Sequence, residues 1–481
     1  MTRRWSRSGF LFAAMLAALL AAGPAWAQTA APALGSEAPA SGQADTGGLW
    51  TQDTLLGDTG GVRPALATYG ISLGLSETSE VLGNVAGGIH RGADYDGWTQ
   101  MSLTLNTEKA LGWAGGTLNI SALQIHGRNL SQDNLDTLQT VSGIEADRAT
   151  RLWELWYQQA FLGSRADVKL GQQSLDQEFI VSQYAGLFLN SMLGWPMVPA
   201  ADLYAGGPAY PLSALGVRLR AHASPALTVL GGVFDDNPPG GPFTDDSALH
   251  DGEASGTRFN LSTGALFIGE LQYAAGQSPT KGCTSVTCGL PGTYKLGAWF
   301  DTAGFPDQHL GTDGLSLANP LSNGMPRTDR HNFSLYAVVD QTVWRAGSDS
   351  PRSVSVFLRP MGAPGDRNLV SFSLNAGVTL QAPFAGRDND AVGIGYGFAQ
   401  VSSGAAQLDR DTGFFSGAPY PVRSSESFLE LTYQAHLTPW WVLQPDFQYV
   451  FNPGGGIQNP ANPSRRIANE TVLGLRTVIT F

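Results

Sequence analysis

The chain has 481 residues, 60 of them glycine, with 28 basic side chains against 40 acidic ones and a formal net charge of −12. An acid excess of that size argues against nucleic acid or an anionic surface as partner. Seven histidines without a pair at three- or four-residue spacing, and the lack of H-E-x-x-H, G-x-S-x-G or phosphate-loop motifs, remove the usual signatures of an enzyme, a metal site or a bound cofactor.

Residues 1–27 read as an export signal: Arg3, Arg4 and Arg7, an apolar run over 10–22, and the small-x-small site Ala25-Trp26-Ala27. Its removal takes three arginines and leaves 25 basic against 40 acidic groups, a charge of −15. Beyond residue 27 no run approaches the roughly 18 apolar residues of a membrane helix. Residues 28–48, rich in Ala, Pro, Gly and Ser, read as a flexible leader. Residues 49–70 contain a predicted short helix, with Pro64 in its first turn and Gly70 just past its end.

From residue 71 the pattern turns to period two. Sixteen strands are predicted, at 71–82, 97–108, 117–127, 151–161, 166–173, 216–223, 227–234, 265–274, 293–302, 332–344, 353–361, 369–381, 391–400, 425–435, 441–450 and 470–481. Their lengths suit tilted strands crossing a bilayer, and their even number suits a bacterial outer-membrane barrel wide enough for an aqueous channel. Connection lengths test this independently. Every second connection is short (109–116, 162–165, 224–226, 345–352, 382–390, 436–440), with the cysteine-bearing turn 275–292 as the exception. The intervening ones are mostly long, 362–368 excepted. Short turns on one side and long loops on the other is the layout of an outer-membrane barrel. Composition alone leaves a soluble β-sandwich array or β-helix open, and periodicity cannot tell a lipid-facing apolar face from a core-facing one.

Two departures from the pattern stand out. Glu77 falls on the same face as Ile71, Leu73 and Leu75, which suggests a bulge or a position at the membrane edge. Residues 174–215 form neither a strand nor an ordinary loop, for they carry Phe179, Ile180, Val181, Tyr184, Leu187, Phe188, Leu189, Met192, Leu193 and Trp195. Exposing ten such side chains would forfeit about 15–30 kcal/mol as an upper bound. The segment is therefore expected to fold inward and constrict the barrel. Cys283 and Cys288, six residues apart inclusive in a Gly/Pro-rich turn, are expected to form a disulfide worth about 2 kcal/mol.

Alternation assigns lumen-facing residues. In the fourth strand Glu154, Trp156 and Gln158 share the inner face, opposite Trp153, Leu155, Tyr157 and Phe161. Asp167 and Lys169, then Arg218, Arg220 and His222, follow on the next two strands. Lys295, Trp299 and Asp301 come from the ninth, and Glu426, Glu430 and Gln434 from the fourteenth. A pore for uncharged polyols needs fixed donors, acceptors and some aromatic surface, which these supply; they serve equally as salt bridges stiffening the wall. Trp195, Asp202, Tyr204 and Tyr210 are the candidate constriction residues of the inserted segment, its aromatics either stacking on sugar or packing it to the wall. Gly393, Gly395 and Gly397 alternate on one strand face and predict a close approach or a bend. The acids Asp235, Asp236, Asp245, Asp246, Asp251 and Glu253 read as a solvated external loop.

Several blocks, in order, carry a resemblance: RLWELWYQQAF from Arg151, LGQQSLDQEFIVSQYAGLFLNSMLGWP from Leu170, GGPAYPLSALGVRLR, LPGTYKLGAWFDT from Leu290, FLELTYQAHLTPWW from Phe428, and NPGGGIQNP with the closing VLGLRTVITF. Together the chain resembles the OprB-type carbohydrate-selective porins from about residue 49 to 481. The resemblance implies a sixteen-stranded outer-membrane barrel with an inward loop, selective for sugars such as glucose, in a Gram-negative bacterium. It implies surrounding lipid and lipopolysaccharide and insertion by barrel-assembly machinery, for which the terminal Phe481 is a fitting signal, and it leaves monomer and homotrimer both open. The alternative is an outer-membrane barrel enzyme or adhesin without sugar selectivity.

Overall fold

A computed structural model describes residues 48–240, 254–276, 289–347, 350–460 and 462–481. The predicted signal, most of the leader, the cysteine pair and the acids from Asp245 to Glu253 lie outside the described residues. The chain folds into strands β1 (Ile71–Ala86), β2 (Gly92–Asn106), β3 (Gly116–Gly127), β4 (Ala149–Phe161), β5 (Ala166–Gln173), β6 (Ala214–His222), β7 (Leu227–Asp235), β8 (Ala265–Ala275), β9 (Gly292–Gly311), β10 (Pro326–Arg345), β11 (Ser353–Gly362), β12 (Val370–Gln381), β13 (Ala391–Val401), β14 (Ser425–Thr438), β15 (Trp441–Phe451), the two-strand hairpin β16 (Gln458–Asn459) and β17 (Asn462–Arg466), and β18 (Glu470–Thr480). The sixteen strands other than the hairpin form one closed antiparallel barrel, in which each pairs with its neighbours in sequence and β18 joins β15 to β1. The predicted fold class is the observed one.

The barrel is an inside-out arrangement of the same period-two chemistry that builds a soluble sandwich. Leu73, Val81, Met101, Ile120, Leu170, Leu219, Leu296, Leu358, Val378, Ile394 and Leu475 are exposed on its outer face. Thr78, Asn119, Lys169, Asn375, Thr432 and Arg476, on the alternate positions, are buried inside. Such a surface is stable against lipid, where closure also satisfies every strand edge.

Three local features depart from the sequence reading. β9 and β10 run 20 residues each, well beyond the predicted 293–302 and 332–344, because their polar ends continue to pair above the apolar belt. In β4, Ser121 pairs with Glu154 and Ala122 with Leu152, so Trp153 is an extra residue in a bulge. The bulge turns Trp153 inward, 3 % exposed, against Leu123 and Ile125 instead of onto the face of Leu155. At Glu77 the reverse holds. β1 pairs with β2 without a break from Ile71↔Leu105 to Asn84↔Gly92, so no bulge rescues Glu77 and its side chain stands on the outer face.

The N-terminal helix spans Val62–Thr68, with Pro64 in its first turn and Gly70 in a left-handed conformation (φ 75°) leading into β1. This stretch is tied to the barrel seam: the Leu55 N–H donates to the Thr480 carbonyl (2.8 Å), the Trp440 indole to the Leu49 carbonyl (2.7 Å), and Arg63 to the Phe481 carbonyl.

Candidate functional site

The segment between β5 and β6 enters the barrel and crosses it. It folds into short turns and helices, of which Ser191–Gly194 and Met197–Asp202 are α-helical. Its Leu175, Phe179, Ile180, Phe188, Met192, Leu193 and Val198 are 5 % exposed or less and join one apolar cluster with wall residues including Phe234, Trp299, Phe357 and Phe428. Two of the alternating glycines make room for it: a Cβ on Gly393 would lie 2.7 Å from the Phe188 ring, and one on Gly395 would lie 2.9 Å from Leu193. The third, Gly397, admits the wall residue Phe428.

A loop buried this deeply must find partners for its backbone. Wall side chains provide them. Glu270 accepts from Ile180 N–H (2.8 Å), Asp340 from Gln183 N–H (2.9 Å), and Glu430 from Leu189 and Asn190 N–H (2.5 and 3.1 Å). Arg359, fully buried, donates to the carbonyls of Ile180, Gly194, Met192 and Leu193 at 2.8–3.0 Å. Lys295 donates to the Val181 carbonyl (2.7 Å) and Asn332 to that of Asp202 (3.1 Å). The wall thus holds the loop through mostly charged groups on both kinds of backbone atom.

A second segment, residues 128–148 between β3 and β4, also enters. Leu130, Leu135 and Val141 are completely buried with Leu82, Leu189 and Val472. Glu426 accepts from the N–H groups of Leu138 and Gln139 (2.8 and 2.7 Å), and Gln448 donates to the Val141 carbonyl (2.7 Å). The two segments hold each other: Gly143 N–H to Leu189 carbonyl (2.8 Å), Ser191 N–H to Thr140 carbonyl (3.1 Å), and Tyr210 hydroxyl to Ile144 carbonyl (2.9 Å).

Beside the inserted segment, β4–β6 carry a charged stripe. Lys169 is ion-paired with Glu178 and lies 4.3 Å over the Trp156 ring. Arg218 is ion-paired with both Asp167 and Glu178, the latter at 2.7 Å, and donates to Gln158 (3.1 Å). Arg220 binds Asp167 at 2.8 Å, and Glu154 accepts from the Ser174 N–H at 3.0 Å. Burial alone would raise the Glu178 carboxyl, but Lys169 and Arg218 outweigh it and bring the group down to about 2.

The structure therefore brings Glu154, Trp156, Gln158, Lys169, Arg218 and Arg220 together, but not on equal terms. The Arg218 side chain is 1 % exposed and fully engaged, whereas that of Arg220 is 34 % exposed. Trp299 and Glu430, predicted to line the pore, are 2 % and 0 % exposed and lie beneath the inserted segment, which covers them. Gln434 stays partly exposed and reaches Gln444. Among the constriction residues, Trp195 packs in the apolar cluster with its indole N–H on the Gly206 carbonyl (2.9 Å). Asp202 is buried and accepts from Val370 N–H (3.2 Å), and desolvation pushes its carboxyl well above the usual range. Tyr204 stacks on Phe305 (4.7 Å, 15°), and Tyr210 meets Trp98 edge-on (4.8 Å, 88°). Packing against the wall occupies both rings. Asp235 and Asp236 are buried, not solvated, and bond to Asn260 and Thr263.

Glu178, Arg359 and the whole 128–148 segment were missing from the sequence reading. Leu130, Leu135, Leu138, Val141 and Ile144 were the available signal for the segment, and the lone Arg359 at an inward position of β11 was the signal for the loop anchor.

With this geometry in hand, comparisons with known proteins agree. Residues 90–481 match the family described as "Carbohydrate-selective porin, OprB family". The chain is 26 % identical over 443 residues to Porin B of Pseudomonas aeruginosa, covering 88 % of this chain and 91 % of that protein. Among solved structures it is similar to Pseudomonas putida OprB at high pH, with a TM-score of 0.77, 24 % identity, and coverage of 90 % of this chain and 99 % of that one. Against the low-pH structure of the same protein the TM-score is 0.53 at 18 % identity, with the same coverage. A family match over most of the length, on a closed sixteen-strand barrel narrowed from within, means that this chain belongs to the OprB family of carbohydrate-selective porins, outer-membrane channels of Gram-negative bacteria.

Proposed function

We propose that this porin conducts neutral sugars, glucose-like monosaccharides in particular, by facilitated diffusion into the periplasm. The observation that carries this reading is the stripe on β4–β6, where Lys169, Arg218 and Arg220 stand against Glu154, Asp167 and Glu178. Charges matched in number give a dense supply of donors and acceptors with little net field, which suits an uncharged polyol better than an ion of either sign. Within the stripe, Arg220, Trp156 and Gln158 are the partly exposed members and are assigned to sugar contact, with Gln434 on the far wall. Arg218, Lys169 and Glu154 are assigned to holding them in place. Export through residues 1–27, insertion by the barrel-assembly machinery and contact with lipopolysaccharide belong to the same reading.

The test is glucose block of ion current in planar bilayers. Losing the Arg220 fork removes charge-assisted bonds worth about 1.5–3 kcal/mol, so Arg220→Ala weakens block by about tenfold or more. Arg218→Ala disturbs Glu178 and changes the open-channel conductance as well. Unchanged glucose block in Arg220→Ala, or stronger block by a sugar acid than by glucose in the unaltered channel, would refute the assignment.

A further inference from the structure

Where β7 ends, two carboxylates meet inside the wall with nothing basic between them. Phe234 on β7, Leu266 on β8 and Asp301 on β9 stand in one inward row, and Asp236, Gly264 and Ala303 follow in the next. Gly264 has no side chain to keep its neighbours apart: a Cβ there would lie 2.5 Å from Asp236 Oδ2 and 3.3 Å from the Ala303 Cβ. Asp236 therefore reaches across β8, and its carboxylate comes within hydrogen-bonding reach of that of Asp301. Each has one oxygen occupied, Asp236 Oδ1 by the Thr263 hydroxyl (2.6 Å) and Asp301 Oδ1 by the Ala303 N–H (2.8 Å). Each leaves its Oδ2 buried without a partner. Asp235, held by Asn260 and Thr263, adds a third acid beside them. No basic side chain among the described residues is ion-paired with Asp236 or Asp301. The adjoining Asn237 makes a separate demand. Its N–H supports Asp235, yet neither its amide oxygen nor its amide nitrogen has a partner. Asp236, Asn237 and Asp301 are all 0 % exposed.

Buried like charges repel, and buried polar atoms without partners call for an ion or water to serve them. We infer that Asp236, Asp301 and Asn237 hold a divalent cation of the calcium class at this point on the barrel rim. The donors on offer are all oxygen and two are anionic, the preference of a hard cation. Among the described residues no group of three His, Cys, Asp or Glu side chains is placed to hold a metal by itself. The Asn237 amide oxygen and water therefore complete the shell, which calcium accepts in its irregular geometries. A proton shared between the two carboxyls would quiet their repulsion but serve neither Asn237 atom. A cation serves the amide oxygen directly, and one of its waters accepts from the amide nitrogen. The site stands at the long-loop end of the barrel, where the ion fastens the start of the β7–β8 connection to β9. Beside it Tyr204 of the inserted segment stacks on Phe305, so the ion also steadies the wall against which the constriction ends.

The test is calorimetric titration of calcium chloride into the full chain, purified from outer membranes in a non-ionic detergent and stripped with EDTA. The unaltered protein takes up one strong equivalent and unfolds at a higher temperature with calcium than with EDTA. Asp236→Asn with Asp301→Asn removes both charges at nearly constant shape. It loses that equivalent and the calcium-dependent shift, while in EDTA it unfolds no earlier than the unaltered protein because the repulsion has gone. Asn237→Ala keeps both carboxylates and weakens calcium binding by about tenfold. No saturable uptake by the unaltered protein overturns the inference and leaves the two carboxyls sharing a proton. Uptake unchanged in the doubly substituted protein, or equal affinity in Asn237→Ala, overturns it as well and assigns the ion to lipopolysaccharide or to other acids.

Discussion

The two segments inside the barrel are held by different means, and the contrast explains how a porin can own a fixed constriction. The 174–213 segment is mostly apolar, and wall side chains, most of them charged, pair with its buried backbone. The 128–148 segment is polar between scattered leucines; it bonds to the first at Gly143, Thr140 and Ile144 and packs Leu130, Leu135 and Val141 with its Leu189. One segment is a plug with its own core, and the other is a clasp across it. Burial and backbone pairing fail together in the plug, while the clasp buries fewer apolar side chains and depends more on single bonds.

The sharpest way to break the comparison is Arg359→Ala. Four buried loop carbonyls lose their donor, at about 1–3 kcal/mol each if left unpaired, so the plug shifts and single-channel conductance rises several-fold. Unchanged conductance would mean that apolar packing alone positions the plug. Glu426→Ala comes next. It strands the N–H groups of Leu138, Gln139 and Gly454, loosening the clasp while leaving the plug seated. Hydrogen exchange should then speed up across 128–148 but not at Phe188 or Leu193; equal acceleration in both segments would show them to be one unit.

Two carboxyls, one from each segment, are shifted in opposite directions. The Glu178 carboxyl is held at about 2 against an ordinary 4.5, so its contribution to seating the plug is complete above pH 4.5 and is lost as pH falls toward 2. Desolvation raises the clasp's Glu145 to about 7, with bonds from Ser131 opposing; it therefore favours the folded clasp at low pH and loses that contribution as pH rises through about 7. Current noise against pH should show a transition near neutrality that Glu145→Gln abolishes and an acidic one that Glu178→Gln abolishes. A single transition untouched by either substitution would contradict these two assignments. The smallest effect is expected from Tyr210→Phe, which removes one hydroxyl-to-carbonyl bond between the segments, about 1 kcal/mol, and should raise open-channel noise without changing mean conductance.

The barrel was legible because period two and the alternation of short and long connections are repeated around the whole chain, so errors at one strand do not propagate. The plug was legible because ten large apolar side chains cannot sit in water. The clasp was not, since Leu130, Leu135 and Val141 are spaced widely enough to pass for an ordinary loop and Glu426 holds it through backbone atoms, which carry no sequence signal. Alternation told inside from outside at Trp299 and Glu430, but it cannot say whether an inward position is open to the pore or roofed by a loop. At Trp153 it failed outright, because a bulge adds one residue and reverses the parity beyond it. Glu178 sits beside Phe179 and Ile180 in an apolar stretch, and its partners Lys169 and Arg218 lie on β5 and β6, away from it in the chain.

The seam where β18 meets β1 has a consequence for biogenesis. Arg476 and Glu80 form an ion pair inside the wall although 396 positions separate them, and residues ahead of β1 grip the last ones through Leu55, Arg63 and Phe481. Contacts this remote in sequence close last and slowly, after the intervening strands have paired. A chain cut short before β18 leaves Glu80 without its arginine and β1 with an unpaired edge. Such a chain cannot close its ring, for β18 is the strand that joins β15 to β1.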